Sequence, residues 1–129
     1  MHFGVNMWVW VSPPTTADLK NLAPHIKQMG FDWIEVPLES LDDLDPTVGR
    51  QIVADSGLGI STCAAMGPDR DLIHADDSIQ QNGIAYIRGC IEHTQALGAT
   101  NLVGPIYSAV GRVWQQTPDE SARALDTLV

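Results

Sequence analysis

The stretch GPDRDLIHADDS gathers Asp69, Asp71, His74, Asp76 and Asp77, and carboxylates with a histidine at such spacing have the composition of a divalent-cation site. These residues also stand directly before a helix-like stretch, where carboxylates cap free backbone N–H groups and complement the helix dipole. Capping is the reading adopted for them. Glu35, in the apolar run FDWIEVP, is a different case, because burying a carboxylate without partners is costly. It is read as a hydrogen-bonding group that positions its neighbours, with catalytic acid/base work as the other role. Asn6, in FGVNMWVW, is either a ligand contact or a strand-end hydrogen bond. Tyr107 and Trp114, in GPIYSAVGRVW, either stack on the C–H face of a small polar ligand or pack their loop.

Other chemistries find no support. Cys63 and Cys90 form no C-x-x-C pair, which argues against a zinc site or a disulfide framework. They read as reduced, buried thiols of a cytoplasmic protein. No Cys-His arrangement makes Cys63 a nucleophile, and GPIYSAVG lacks the glycine spacing and lysine of a phosphate loop. His25 and His93 are expected on helix surfaces.

These residues need elements to position them, and the chain supplies strand and helix signals in alternation. A first strand is expected over Phe3–Val9, stopped by Pro13-Pro14. On it Asn6 and Trp8 share one face, while Val5 and Met7 share the other. Thr15 or Thr16 caps a helix whose apolar stripe is Leu19, Leu22, Ile26 and Met29, with Pro24 expected to bend or split it. FDWIEVP is the second strand, and Asp45-Pro46 opens a helix that runs to about Ser56-Gly57. Gly59–Ala65 is the third strand. A long helix from about Ile79 to Leu97 follows, with Ile84, Ile87 and Ile91 as its apolar stripe. Asn101–Gly104 is the fourth strand, and Thr117-Pro118-Asp119-Glu120 is a capping box for a last helix read as still running at Val129.

Length and charge narrow the class. At 129 residues and 44% hydrophobic, the chain is long and apolar enough for one core. A net charge of −9 argues against nucleic acid or an anionic membrane surface as partner. The apolar N-terminus lacks the basic flank and cleavage site of a signal peptide.

Four βα units imply a parallel sheet with right-handed crossovers. Either an open doubly wound sheet or half of an eight-stranded barrel fits, a whole barrel needing roughly 250 residues. Glu35 favours the barrel. In an open sheet it would lie under a helix, whereas in a barrel it points into the lumen near the mouth.

FGVNMWVW, MGFDWIEVP, MGPDRDLIHADDSIQQNGIAYIRGCIE and LGATNLVGPIYS, in this order, resemble the sugar phosphate isomerase/epimerase superfamily of xylose isomerase-like TIM barrels. Within it they are most similar to the D-tagatose and D-psicose (allulose) 3-epimerases. The resemblance covers the whole chain, as the N-terminal (β/α)4 half of such a (β/α)8 enzyme, truncated in its fourth helix. It implies a metal-dependent epimerisation of ketoses at C3, in which manganese or cobalt holds the substrate oxygens and two glutamates exchange the proton through an enediolate. It places the metal ligands and acid/base groups in the other half, so no catalytic or metal residue is carried over. Asn6 and Pro105 match substrate-contact positions after the first and fourth strands. Cys63–Met66 and Trp114 fall at the apolar pocket wall. Another family tryptophan is replaced near Pro14.

The expected pocket residues are therefore Asn6, Trp8, Glu35, Met66, Pro105, Tyr107 and Trp114. The expected partners are a ketose in the complete enzyme and further copies of the chain. Alternatives are a non-catalytic, self-associating half-barrel, or a hydroxypyruvate isomerase or inosose dehydratase type of activity.

Overall fold

The computed structural model describes residues 1–113 and 115–128. Four parallel strands alternate with four α-helices: β1 (Gly4–Asn6), α1 (Thr16–Gln28), β2 (Trp33–Pro37), α2 (Pro46–Asp55), β3 (Gly59–Cys63), α3 (Asp77–Leu97), β4 (Leu102–Val103) and α4 (Pro118–Thr127). The sheet order β1-β2-β3-β4 follows the sequence, which makes this half of a TIM barrel and not a doubly wound sheet. The chain divides into two compact units, one of Met1–Ala64 with Gly89–Val103, the other of Ala65–Arg88 with Gly104–Val129.

The first unit holds the sheet. Ile34 and Val36 of β2 are fully buried, in one core with Leu19, Ala23 and Ile26 of α1 and Val53 of α2. Gly49 on α2 makes room for this core, since a Cβ there would stand 2.8 Å from Leu97 and 3.3 Å from Leu19. Thr62, on the same side of β3, is satisfied inside it by Thr94 Oγ1 at 2.7 Å and the Asn101 carbonyl at 2.9 Å.

The opposite face carries three rows across the strands, because partners in a parallel pair point the same way. They are Gly4–Trp33–Gly59, Asn6–Glu35–Ser61 and Pro37–Cys63–Val103. The first row is one indole between two glycines. A Cβ at Gly59 would lie 2.5 Å from the Trp33 ring, so the ring lies directly over that glycine. The second row is polar, and the third lies nearest the carboxyl ends.

Helix starts match their local signals. Thr15 and Asp18 form a capping box, Asp45 caps α2 ahead of Pro46, and Thr117 and Glu120 form a second box. Asp76 accepts hydrogen bonds from the Ser78 backbone and hydroxyl at 2.8 and 2.7 Å just ahead of α3.

Several expectations need correction. The first strand ends at Asn6, where that side chain caps a 3-10 helix over Met7–Val9, so strand alternation no longer governs Trp8. Strands three and four are shorter than Gly59–Ala65 and Asn101–Gly104. Pro24 does not split α1; it lies on the exposed side of the helix, where a carbonyl left without its N–H partner is open to solvent. Met29 is 60% exposed at the helix end, and Ala23 takes its place in the buried stripe. On α3 the buried positions are Gly83, Tyr86, Cys90, Thr94 and Leu97, while Ile84 and Ile91 face out. At Gly83 there is no room for a side chain, since a Cβ there would sit 2.6 Å from the Arg70 carbonyl. His93 is half-buried, its Nε2 3.0 Å from the Leu41 carbonyl.

Candidate functional site

In the first unit the polar row joins Asn6, the last residue of β1, to Glu35 and Ser61 at the middle of β2 and β3, one row short of the carboxyl ends at which parallel barrels carry their sites. It borders an open recess of about 350 Å³ lined by Gly4, Val5, Asn6, Trp33, Glu35 and Ser61. Asn6 Nδ2 donates to Glu35 Oε1 at 2.7 Å and to Cys63 Sγ at 3.2 Å. Asn6 Oδ1 accepts from the Trp8 backbone N–H at 2.8 Å. Both amide hydrogens and one lone pair are thereby engaged within the chain. Glu35 takes a second, longer hydrogen bond from Ser61 Oγ at 3.4 Å, so the half-buried carboxylate sits between two donors.

Burial pushes the Cys63 thiol up to about 12, the Asn6 amide opposing more weakly and the Glu35 charge adding to the rise. Cys63 therefore remains protonated and unreactive in neutral solution. Trp8 is 38% exposed, and its Nε1–H donates to Glu39 Oε1 at 2.6 Å.

In the second unit Met66 N–H donates to the Pro105 carbonyl at 3.3 Å, and Val110 N–H to the Met66 carbonyl at 2.9 Å. Met66 itself is 2% exposed and packs its methyl group beside Gly83, which makes it a core residue. Pro105 is exposed and Tyr107 is 59% exposed. The loop after β4 is tied to the loop after β3 by Arg112, whose Nη1 lies 2.9 Å from Asp71 Oδ2. Asp71 is thus a buried ion-pair partner and not a helix cap. Arg70 stacks on the Tyr86 ring at 3.8 Å from its centroid. A wider recess of about 560 Å³ is lined by residues such as His74, Gln80, Arg112, Glu120 and Arg123, in which neither sign of charge dominates and, among the described residues, no expected pocket residue takes part.

The structure thus brings Asn6, Glu35 and Trp8 together in one unit, and joins Met66 to Pro105 in the other. Tyr107 is in neither network, and Trp114 lies outside the described residues. Glu39, Ser61 and the Asp71–Arg112 pair were not expected. Their partners are 31, 26 and 41 residues away, and no local pattern marks them. Among the described residues no three His, Cys, Asp or Glu side chains converge as metal ligands, and no helix is long and apolar enough to cross a membrane.

Comparison with known proteins fits this architecture. The chain is 25% identical to the L-ribulose 3-epimerase of Mesorhizobium japonicum over 98% of its own length and 43% of that protein's. It is 24% identical to a ketose 3-epimerase of Arthrobacter globiformis over 85% of the chain and 38% of the relative. The crystal structure of a D-allulose 3-epimerase from Methylomonas sp. with D-allulose superimposes with a TM-score of 0.87 at 20% identity, over 99% of this chain and 45% of that one. The chain thus spans less than half the length of these relatives. The sequence profile of the xylose isomerase-like TIM barrel family matches residues 24–129, and the chain belongs to that family.

Proposed function

We propose that this chain forms one wall of the sugar pocket of a ketose 3-epimerase, with the proton-transfer groups lying outside it. The observation that carries the reading is the hydrogen-bonded cluster of Asn6, Glu35, Ser61 and Cys63 on one face of three neighbouring strands, with Asn6 and Cys63 at the carboxyl ends of β1 and β3 and the exposed Trp8 two residues after Asn6. The 3-epimerases among its relatives supply the reaction class.

Inverting a carbon next to a carbonyl requires a proton to leave one face and return to the other, with acid/base groups on both sides. Glu35 is engaged by Asn6 and Ser61, an arrangement suited to shaping the wall. The buried Cys63 thiol stays protonated and does not attack a carbonyl. The divalent ion, manganese or cobalt, that the resemblance implies would stabilise the developing oxyanion. The described residues do not fit such an ion, since no three ligating side chains converge, and no step is assigned to it here.

The chain alone, given manganese and D-fructose or D-tagatose, is expected to bind ketose weakly without interconverting C3 epimers. Turnover by the chain alone, followed by chromatography, overturns the assignment of proton transfer to groups outside it.

A second reading, self-association, is favoured by the open sheet. Among the described residues β1 pairs only with β2 and β4 only with β3, and edge strands of this kind recruit partners. Trp33 and Val103 are 38% and 46% exposed on the uncovered face. Light scattering at micromolar concentration is expected to show an oligomer; a stable monomer counts against this reading.

A further inference from the structure

The residue Trp8 is anchored twice. Its backbone N–H donates to Asn6 Oδ1 at 2.8 Å, and its ring Nε1–H donates to Glu39 Oε1 at 2.6 Å. Glu39 is itself braced, because Ser12 Oγ lies 2.8 and 3.0 Å from its two carboxylate oxygens. A hydrogen bond to a charged acceptor is about twice as strong as a neutral one, and turning the indole about either side-chain torsion breaks it. The residue is nevertheless 38% exposed, so the anchor holds an exposed aromatic and not a core residue. An aromatic already fixed in place loses little rotamer entropy when a ligand lands on it.

Position gives this rigidity a use. Trp8 follows the carboxyl end of β1, and Glu39 lies just beyond the end of β2. An indole there, its backbone bonded to Asn6 of the polar row, matches a ligand with one C–H face and a rim of hydroxyl groups. We propose that Trp8 is the stacking platform for the ketose and that Glu39 is the positioning residue that presets the ring. Glu39 acts through Trp8, with its oxygens turned to the indole N–H and the Ser12 hydroxyl. The inference rests on the ketose reading above.

The test is a titration of the whole chain with D-fructose and D-tagatose, following the indole N–H resonances by NMR and assigning that of Trp8 by its loss in Trp8→Phe. Glu39→Ala is expected to speed solvent exchange of the Trp8 N–H and to weaken ketose binding about tenfold, the upper range of an aromatic contact. Glu39→Gln, which keeps an acceptor in place, is expected to restore both. Trp8→Ala should weaken binding as much as Glu39→Ala, and the double variant no further.

Unchanged affinity in Glu39→Ala overturns the proposal, and so does an affinity loss with no change in Trp8 exchange. If Glu39→Ala does not fold, Ser12→Ala decides: faster exchange with weaker binding supports the proposal, and parental values overturn it. A parent chain that binds neither ketose overturns the pocket reading and this inference with it, whereas a binding parent with an indifferent Glu39→Ala overturns only the latter.

Discussion

In the sheet unit, Asn6, Glu35 and Ser61 stand in one row because the pairing of β1, β2 and β3 puts them there. In the loop unit, Asp71 and Arg112 meet across 41 residues of sequence, and Met66 is linked to Pro105 and Val110 by single backbone hydrogen bonds. Strand register spreads the task of placing a side chain over many backbone bonds. The loop unit concentrates it in a few contacts, one of them between charges. The first arrangement tolerates the loss of a side chain, and the second does not.

The sharpest way to break this contrast is Arg112→Ala. It leaves Asp71, with 4% of its side chain exposed, as an uncompensated buried charge, which costs about 3–5 kcal/mol. Urea unfolding is expected to show that loss, and Asp71→Leu combined with Arg112→Met to recover most of it. A loss under about 1 kcal/mol, the range of an exposed pair, would place the pair among ordinary surface contacts and erase the difference between the units.

A smaller effect is expected in the sheet. Gly59→Ala drives a methyl group to 2.5 Å from the Trp33 ring, and overpacking of this kind costs about 1–3 kcal/mol. Because the ring is partly exposed it has room to yield, which favours the low end. Trp33→Leu in the same chain should cancel the penalty, and a double-variant cycle measures this coupling. Additive losses would mean that the indole does not rest on Gly59.

A third effect, confined to alkaline solution, concerns pH. Folding raises the Cys63 thiol from its ordinary 9.0 to about 12, so the folded chain holds a proton that the unfolded chain gives up. The resulting stability is whole below pH 9.0 and disappears as pH rises towards about 12. The urea midpoint of the parent should fall more steeply with pH above 9.0 than that of Cys63→Ser. Parallel curves would show that the thiol is no more buried in the fold than in the unfolded chain.

How far the sequence announces all this depends on the range of each signal. Helix starts are written within four residues, and Thr15–Asp18, Asp45-Pro46 and Thr117–Glu120 cap their helices as their types imply. The alternation of strands and helices is likewise local, and with Glu35 it leads to the half-barrel. Which side of α3 faces inward is not local. Ile84 and Ile91 make the more apolar stripe, yet Gly83, Tyr86, Cys90, Thr94 and Leu97 are buried, and at Gly83 the Arg70 carbonyl leaves no room for a side chain. The tie from Trp8 to Glu39 joins different strand ends, so periodicity along one segment carries no trace of it. Met66 is apolar enough for a pocket wall, but burial beside Gly83 makes it core.

The single large ring in the row Gly4–Trp33–Gly59 also has an optical consequence. Trp33 lies on the uncovered face and is 38% exposed, where relaxing solvent dipoles draw fluorescence to longer wavelengths. Any strand that closes over that face, from a second copy or from a longer polypeptide, must strip this water first. A blue shift in Trp33 emission would then report closure of the barrel with no attached label, and Trp33→Phe supplies the blank.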